Sequence, residues 1–447
     1  MKKSPNVVFI VVDTLRATRL GCYGYPKNTS PTIDHLADHG VRFEYCMAPG
    51  IPTTPAHTTI YTGLHPLTHN IVCHGGKADL DRKIPVLPEL MQSAGYTTCA
   101  VDNLYDIKPW LARGYEFYIN PSFKHKMRLL VSCEEINGRA IPWIKSHTAE
   151  PFFLFLHYWE PHTPYLPPDR YRTFYPRDRD PFAAEHTSFE PIKRQPFWDM
   201  FKDLWFNKLG PVTDAEYVAS LYDAEIRHVD DGIRAILDTL DETGLTDETM
   251  IVLTGDHGES MYQHDIFFDH HGLYDDITRV PLIIKQPGSA SAGKVMERIV
   301  QHIDIAPTIL DAIGSRAPSP NVTSYPMEGK SLWPLISGTS DEYGWDRVIS
   351  CENTWQSKWS LRDVNHKLIL SRRPDNHGMP RRELYDLQAD PGETENLADI
   401  ASNMADEKEA ELEAWITEGL TRTGRAVGED PLLSQPITLG NRWDRKK

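Results

Sequence analysis

Cysteine and long apolar runs are both scarce in this sequence. Its 447 residues include only Cys22, Cys46, Cys73, Cys99, Cys133 and Cys351 as cysteines, and none of them forms a Cys-x-x-Cys pair. This spacing excludes a dense disulfide framework and favours reduced thiols. No stretch approaches the roughly 20 consecutive apolar residues that a transmembrane helix requires. We therefore expect a cytoplasmic protein without a membrane-spanning helix.

The sequence also lacks an excess of positive charge. Its 47 Lys and Arg residues are outnumbered by 63 Asp and Glu residues, which gives a formal net charge of −16. A chain of this charge disfavours contact with nucleic acid or with an anionic membrane surface unless a local basic patch overrides it. We therefore expect neither nucleic acid nor a membrane as a partner.

Two apolar runs end in acidic residues. The run from Asn6 to Asp13 begins after two lysines and superficially suggests a secretion signal, but Asp13 interrupts it and no small-residue cleavage site follows. It predicts a buried parallel strand with Asp13 at its carboxyl edge. The run that starts at Met250 repeats this design, because it delivers Asp256 and His257 into a glycine-flanked turn.

A proline-braced turn with several hydroxyl groups spans Ile51–Gly63 and continues into a helix-like segment. A helix that begins at residue 54 or 55 would direct free backbone N–H groups and the positive end of its dipole at an anion held beside Thr53. Pro55 suits the first turn of such a helix. The segment is therefore predicted to present a nucleophile.

These three segments are expected to meet at one edge of a sheet, because ligands in open α/β sheets bind beyond the carboxyl ends of the strands. Carboxylate, hydroxyl and imidazole groups are suitable ligands for a metal ion. We expect one divalent cation there, Ca²⁺, Mg²⁺, Mn²⁺ or Zn²⁺, surrounded by four residues: Asp13, Thr53, Asp256 and His257.

At these residues the chain resembles the sulfatase family of the alkaline phosphatase superfamily, and the resemblance covers most of its length. The motifs occur in the family's order: Asp13-Thr-Leu-Arg, Thr53-Thr-Pro-Ala-His57, Glu160-Pro-His162, Gly255-Asp-His-Gly-Glu, Arg279-Val-Pro-Leu-Ile-Ile, Asp304-Ile-Ala-Pro-Thr and Leu384-Tyr-Asp-Leu. The resemblance implies an α/β fold, with a large, mostly parallel sheet flanked by helices and a smaller C-terminal antiparallel sheet with a helix. It also implies a metal-dependent hydrolase of a small-molecule ester.

The departures from the family's pattern concern its nucleophile and its cationic anchors. Sulfatases oxidise a signature Cys or Ser to formylglycine, but Thr53 stands at that position and cannot become the aldehyde. His57 replaces the signature Arg, and residues 102–105, which include Asn103, occupy the place of a Lys-containing stretch. Two cationic anchors for a sulfate are thus missing, which favours esters of phosphorus.

Histidines stand at the other positions that the resemblance marks as functional. His162 matches the His of the family's substrate loop, and His270 or His271 falls near the family's second catalytic Lys. The predicted catalytic residues are Thr53, His57, His162 and His271, and the predicted substrate-binding residues are Asn103, His157 and His270.

Imidazoles in these places can bind a metal or transfer a proton near neutral pH. One option is a second metal about 4 Å from the first, held by His162, His271 and Asp269. The other is a single metal, with the histidines binding non-bridging oxygens and protonating the leaving group. We favour the single metal, because the sequence lacks the compact Asp-x-x-x-His of related two-zinc diesterases.

The predicted activity is hydrolysis of phosphate diesters, phosphate monoesters or phosphonate esters. The metal would activate Thr53 for in-line attack, and water would then release the product from phosphothreonine. Three alternatives stay open: a sulfuric ester hydrolase, a transferase that passes the phosphoryl group to an alcohol, and a non-catalytic binding protein.

The order of elements predicts a catalytic domain of residues 1–340 and a C-terminal subdomain of residues 341–447. Helices are predicted at residues 32–40, 85–95, 134–146, 214–240 and 405–421, further strands at 97–101 and 151–157, and two antiparallel strands within 347–371. Residues 166–211 are predicted as an insertion near the site, packed by its own aromatics or acting in substrate selection. The last ~25 residues lack periodicity and are a candidate arm for a homo-oligomer.

Overall fold

The computed structural model describes residues 4–125, 127–195, 197–289, 291–315, 326–340 and 343–439. Within these ranges, two sheets are formed by β1 (Asn6–Val12), β2 (Val41–Met47), β3 (Gly50–Ile51), β4 (Thr97–Val101), β5 (Phe117–Ile119), β6 (Phe152–Tyr158), β7 (Thr249–Gly255), β8 (Arg279–Lys285), β9 (Lys294–Gln301), β10 (Arg347–Glu352), β11 (Lys358–Asp363), β12 (His366–Ser371) and β13 (Arg382–Asp386). The large sheet has the order β5-β4-β6-β1-β7-β8-β2-β9, and the small one has the order β13-β12-β11-β10-β3.

Helices flank both sheets. They are α1 (Pro31–Asp38), α2 (Thr53–Thr62), α3 (Pro66–His69), α4 (Leu87–Ser93), α5 (Cys133–Ser146), α6 (Trp198–Leu204), α7 (Ala215–Glu242), α8 (Asp275–Thr278), α9 (Ile305–Ala312), α10 (Trp333–Ile336), α11 (Ser402–Arg422) and α12 (Pro431–Ser434). The predicted helices are all present, with ends shifted by at most three residues. None of the helices in the described ranges is long and apolar enough to cross a membrane.

The centre of the large sheet is β1, which pairs in parallel with β6 on one side and β7 on the other. Every residue of these three strands is buried, as expected for parallel strands that are covered by helices on both faces. Their predicted bounds are correct to within one residue. Among the described strands of the large sheet, only the pairings that involve β8 are antiparallel, so the predicted α/β fold is confirmed.

The small sheet contains a strand from the N-terminal half of the chain. Gly50 and Ile51 in β3 pair in parallel with Cys351 and Glu352 of β10, and α2 follows β3 directly. Both sheets therefore anchor the segment that carries Thr53. Residues 347–371 form three antiparallel strands rather than the predicted two, because the chain reverses twice within this stretch.

Aromatic side chains in the described part of residues 166–211 pack against one another. The rings of Trp198 and Phe206 stack with centroids 5.2 Å apart, and Phe206 also stacks on Trp205 at 4.3 Å. Trp205 is fully buried against Tyr165, at a centroid distance of 4.8 Å. Because the Tyr165 hydroxyl donates to Glu259, this insertion supports a residue near the predicted site.

The described part of the C-terminal tail packs on its own chain. Asp430 accepts from the Trp359 indole and from Arg372, and the backbone N–H of Leu439 donates to the Thr354 carbonyl. Residues 440–447 lie outside the described ranges, so the proposed arm to another subunit stays a prediction. The predicted free thiols are confirmed for all six cysteines.

Three acids, of which Glu225 and Glu160 are largely buried and Glu134 is exposed, surround His228 of α7. Its Nε2 lies 2.7 Å from Glu134, and its Nδ1 lies 3.6 Å from Glu225 and 3.9 Å from Glu160. Burial raises the pKa of Glu160 to about 8, and the charge of Glu225 adds to this effect. Burial by itself would lower the pKa of His228, but hydrogen bonds with Glu225 and Glu134 outweigh it and raise that pKa to about 9.

We expect Glu160→Gln to stabilise the protein at alkaline pH. The pKa of Glu160 rises on folding from 4.5 to about 8, so the protein becomes less stable as the pH rises between these two values. The stabilising contribution of His228 is present below pH 6.5 and is lost as the pH rises through about 9. Gln cannot ionise, so the free energy of unfolding at pH 8.5 should rise by about 1–2 kcal/mol, with little change at pH 5. Calorimetric melting at both pH values measures this, with the exposed Glu150→Gln as control. An unchanged or lower Tm at pH 8.5 would contradict it.

Candidate active site

Three neighbouring strand ends deliver the predicted site residues to one edge of the large sheet. Asp13 directly follows β1, His157 lies near the end of β6, and Asp256 directly follows β7. The strand registers bring them level, because Val11 pairs with His157 and Val12 pairs with Gly255. All three functional side chains are fully buried.

Asp13, Asp256 and His257 form one compact group whose ligand atoms lie within 4.8 Å of one another. Nε2 of His257 lies 3.4 Å from Oδ2 of Asp256 and 3.9 Å from Oδ1 of Asp13. Thr53 is the first residue of α2, and its Oγ1 lies 3.5 Å from the same Nε2. The structure thus brings together all four predicted metal ligands.

The hydrogen bond at Nδ1 of His257 determines which of its two ring nitrogens can bind a metal. Its Nδ1 lies 2.9 Å from the carbonyl oxygen of Gly258, and since a carbonyl can only accept, Nδ1 carries the proton. The lone pair of Nε2 therefore faces Asp13, Asp256 and Thr53. This is the arrangement in which a metal-binding histidine is usually held.

The two carboxylates have the unpaired oxygens that a cation would bind. Oδ1 of Asp256 accepts from the backbone N–H groups of Thr14 and His257 at 3.1 and 2.8 Å. Its Oδ2 and both oxygens of Asp13 are buried without a hydrogen-bond partner. Buried charged oxygens are costly unless they are paired or coordinate a metal. The residues present therefore fit the divalent cation expected here.

The pKa shifts of Asp13 and Asp256 agree with a cation bound between the two carboxylates. Burial raises the pKa of Asp13 well above its usual range, and the charge of Asp256 adds to the effect. Burial also acts on Asp256, but the nearby imidazoles of His257, His57 and His157 outweigh it, and the pKa of this carboxyl is lowered. A cation between the carboxylates would offset both desolvation and repulsion.

His57 and His157 lie on the inner side of this group. His57 is one helical turn after Thr53 on α2, and its Nε2 is 3.7 Å from Oδ2 of Asp256. Nε2 of His157 is 3.4 Å from Oδ2 of Asp13, and the two imidazole rings are 4.9 Å apart. Burial lowers the pKa of His57 to about 3, so its ring is neutral at physiological pH.

His270 and His162 form the outer wall of the site. The ring of His270 lies 4.7 Å from that of His257 and 4.9 Å from that of His162. Its Nδ1 is 3.1 Å from Oε2 of Glu259. Burial by itself would lower the pKa of His270, but Glu259 and Asp269 outweigh it and raise that pKa to about 10. These carboxylates favour the protonated form of His270, which lies at the place where the resemblance puts the family's second catalytic Lys.

His271 faces away from this wall. Its Nε2 is 2.7 Å from Nε2 of His377, its ring packs on Trp355, and its Nδ1 lies 3.5 Å from Asp269. Asp269 also lies 3.7 Å from Nδ1 of His270. His271 thus contacts the side of the small sheet and reaches His270 only through Asp269.

Asn103 lies behind the site rather than in it. Its Oδ1 accepts from the indole of Trp159 at 2.8 Å, and its Nδ2 donates to the carbonyl of Arg128 at 3.1 Å. The Trp159 ring packs edge-on against His157 and His162, at 4.8 and 5.7 Å. Asn103 therefore orients the tryptophan that supports two of the histidines.

Sequence reasoning missed His74 and Arg128. Nδ1 of His74 lies 3.1 Å from the Thr54 hydroxyl. Burial lowers the pKa of His74 to about 3, and the positive charge of Arg128 acts in the same direction. The glycine-flanked position of His74 was the only local signal, whereas nothing around Arg128 distinguishes it from a surface arginine.

Comparison with known families identifies the architecture around this site. A family model described as "Sulfatase" matches residues 5–315, which is more than half of the chain. A second, described as "N-sulphoglucosamine sulphohydrolase, C-terminal", matches residues 263–421. The first match covers all the strand ends that carry the site, and the second covers four of the five strands of the small sheet, β10 to β13.

Individual relatives span nearly the whole chain. The N-acetylglucosamine-6-O-sulfatase of Bacteroides thetaiotaomicron is 24% identical, over 91% of this chain and 85% of its own length. A multifunctional alkaline phosphatase superfamily protein of Trinickia caryophylli is 25% identical, over 88% and 91%. The structure of the phosphonate monoester hydrolase of Agrobacterium radiobacter superposes with a TM-score of 0.73 at 23% identity, over 94% and 96%. The chain therefore belongs to the sulfatase family of the alkaline phosphatase superfamily and is an ester hydrolase.

Proposed function

We propose that this protein hydrolyses phosphate diesters, phosphate monoesters or phosphonate esters, with the unmodified hydroxyl of Thr53 as its nucleophile. The observation that carries the proposal is the position of Thr53. Its Oγ1 lies at the start of α2, 3.5 Å from the free lone pair of His257 and beside two carboxylates. The phosphonate monoester hydrolase named above shares the fold, which makes phosphorus esters reasonable substrates for this scaffold.

The first step forms a bond between Thr53 and phosphorus. A divalent cation, when bound by Asp13, Asp256 and His257, lowers the pKa of the hydroxyl and stabilises charge on the substrate oxygens. Oγ1 gives up its proton to solvent water and attacks phosphorus opposite the leaving oxygen, whose bond to phosphorus breaks. The imidazolium of His270, held at Nδ1 by Glu259, offers its other N–H to that oxygen.

The second step releases the product from phosphothreonine. Nδ1 of His162 lies 2.6 Å from the Thr163 carbonyl and therefore carries a proton, which leaves Nε2 as an acceptor. Burial lowers the pKa of His162 to about 3, so the ring stays neutral. It can accept a hydrogen bond from the water that attacks phosphorus, and the proton of this water passes to Oγ1 as the bond between Thr53 and phosphorus breaks.

A sulfuric ester hydrolase is the second candidate, because a relative that spans most of the chain is named as a sulfatase. The same two steps would then leave an alkyl sulfate on Thr53. This ester lacks the elimination route that the formylglycine aldehyde provides, so we propose slow turnover of sulfate esters.

A matched set of nitrophenyl esters tests the proposed function. We expect the nitrophenyl phosphate, bis-nitrophenyl phosphate or nitrophenyl phenylphosphonate to be hydrolysed faster than the nitrophenyl sulfate. Each ester is assayed with Mg²⁺, Ca²⁺, Mn²⁺ and Zn²⁺, and the leaving group is the same in all of them. Sulfate release at a rate equal to or above the best phosphorus ester would overturn the proposal in favour of a sulfatase.

The two histidines of the outer wall should each contribute to turnover. We expect His162→Ala and His270→Ala to lower kcat by about 10²–10⁴-fold, the range of general acid–base groups. His271→Ala is the comparison variant, and its loss should be smaller, because His271 acts on His270 only through Asp269. Steady-state kinetics with the best ester measures these effects, and wild-type kcat in both wall variants would remove them from the mechanism.

A further inference from the structure

Two buried imidazoles beside the nucleophile have no hydrogen-bond partner on either ring nitrogen. They belong to His57 and His157, whose side chains are fully buried. A buried polar group without a partner is destabilising, and buried polar atoms in proteins are nearly always satisfied. By contrast, His257 and His162 each hold one nitrogen against a backbone carbonyl. Each of these two rings therefore has a nitrogen available to bind a ligand.

The positions of these nitrogens match a metal site. Ligand atoms of His57, His157 and Asp256 all lie within 4.8 Å of one another. Nε2 of His57 is 3.7 Å from Oδ2 of Asp256. Two ligand atoms bound to one tetrahedral ion at about 2.1 Å are themselves separated by roughly 3.4 Å. Small side-chain adjustments would therefore bring this group to coordination distance.

This group is joined to the first metal group by both carboxylates. Asp256 is a member of both groups. Asp13 reaches towards both, since its Oδ2 is 3.4 Å from Nε2 of His157 and its Oδ1 is 3.9 Å from Nε2 of His257. A carboxylate that offers one oxygen to each side is suited to bridging two cations, which are about 3.5–4 Å apart in two-metal hydrolases.

We propose that His57, His157 and Asp256 bind a second divalent cation, bridged to the first through Asp13 and Asp256. The inference deepens the proposed function, because it concerns the same site and rests on the first cation being held there. It differs from the two-metal arrangement considered from the sequence, in which His162, His271 and Asp269 were the ligands. In the structure, His271 contacts His377 instead.

The ligands indicate which cations the second site accepts. Two imidazoles and one carboxylate suit Zn²⁺ best, whereas Ca²⁺ and Mg²⁺ prefer oxygen ligands. Mn²⁺ lies between these cases and serves as a spectroscopic probe of the site. The first site offers two carboxylates, a hydroxyl and one imidazole, so it accepts the harder cations as well. His57 occupies the place of the family's signature Arg, so a cation here would restore positive charge beside Thr53.

Metal content of the full-length protein tests the proposal. The purified chain is stripped with chelator, loaded with Mn²⁺ or Zn²⁺, freed of excess metal and measured by elemental analysis. We expect two equivalents per chain in the wild type and one in His57→Gln and in His157→Gln. The exposed His39→Gln should retain two. One equivalent in the wild type, or two in both site variants, would overturn the second site.

Magnetic coupling gives a second readout that does not depend on activity. Two Mn²⁺ ions bridged by carboxylates should give a coupled spectrum by electron paramagnetic resonance, and His157→Gln should give the signal of an isolated ion. Retention of that one ion also shows that the variant is folded. The outcomes are separable from the proposed function: phosphoesterase activity with a single uncoupled ion overturns only the second site, and a coupled pair without such activity overturns only the proposed function.

Discussion

Asp256→Asn should lose bound metal and lower kcat by more than about 10³-fold, while the protein stays folded. Oδ1 of Asp256 accepts from two backbone N–H groups, at Thr14 and His257, and the amide oxygen of Asn can keep both bonds. The partnerless Oδ2 becomes an NH₂ group, which cannot bind a cation. The change is thus confined to the atom that faces the site.

The expected loss is large because Asp256 is shared by both candidate metal groups. Elemental analysis and steady-state kinetics measure it, and circular dichroism verifies the fold. Asp230→Asn is the matched control: Asp230 is also buried, but it caps α1 by accepting from Thr32 and Ile33. That variant should keep its metal. Undiminished metal in Asp256→Asn would refute the assigned ligands.

Thr53→Ala should abolish detectable turnover while metal content is nearly retained. The two carboxylates and His257 stay in place, but no hydroxyl is left to attack phosphorus. Thr53→Ser should keep partial activity, because the hydroxyl is present but the lost methyl frees a side-chain torsion that β-branching restricts. Rapid-quench trapping followed by mass spectrometry should find phosphate on residue 53 in the wild type and none in Thr53→Ala.

Thr62→Ala is the control for a general disruption of α2, because it removes another hydroxyl from the same helix. The Thr62 hydroxyl donates to the Thr58 carbonyl within the helix and lies two turns from the site, so Thr62→Ala should keep wild-type kcat. The mature protein should also show no mass change at residue 53. If Thr53→Ala retained full activity, water rather than Thr53 would be the nucleophile and the covalent mechanism would be wrong.

Thr53→Cys tests whether the identity of residue 53 alone prevents hydrolysis of sulfate esters. The new context would be Cys-Thr-Pro-Ala-His, which lacks the signature Arg, so conversion to formylglycine should be inefficient. We expect little gain in hydrolysis of nitrophenyl sulfate. A large gain would mean that residue 53 alone separates the two activities.

The sequence by itself determined the strands that carry the site and the family to which they belong. Short apolar runs rich in β-branched residues that lead to Asp13 or Asp256 predict buried strands with polar ends, because a carboxylate within such a strand would be desolvated. The order of short motifs along the chain needs no three-dimensional information. Both inferences rest on residues that are close in sequence.

Only the tertiary structure decided which side chains share a cavity. His157 meets Asp13 because β6 pairs with β1 across about 145 residues, and no local pattern encodes that choice of neighbour. His270 and His271 are adjacent in sequence, yet one faces His257 and the other faces His377. Their directions follow from packing against elements far away in the chain, since a side chain's orientation is set by its non-local contacts rather than by its own residue type.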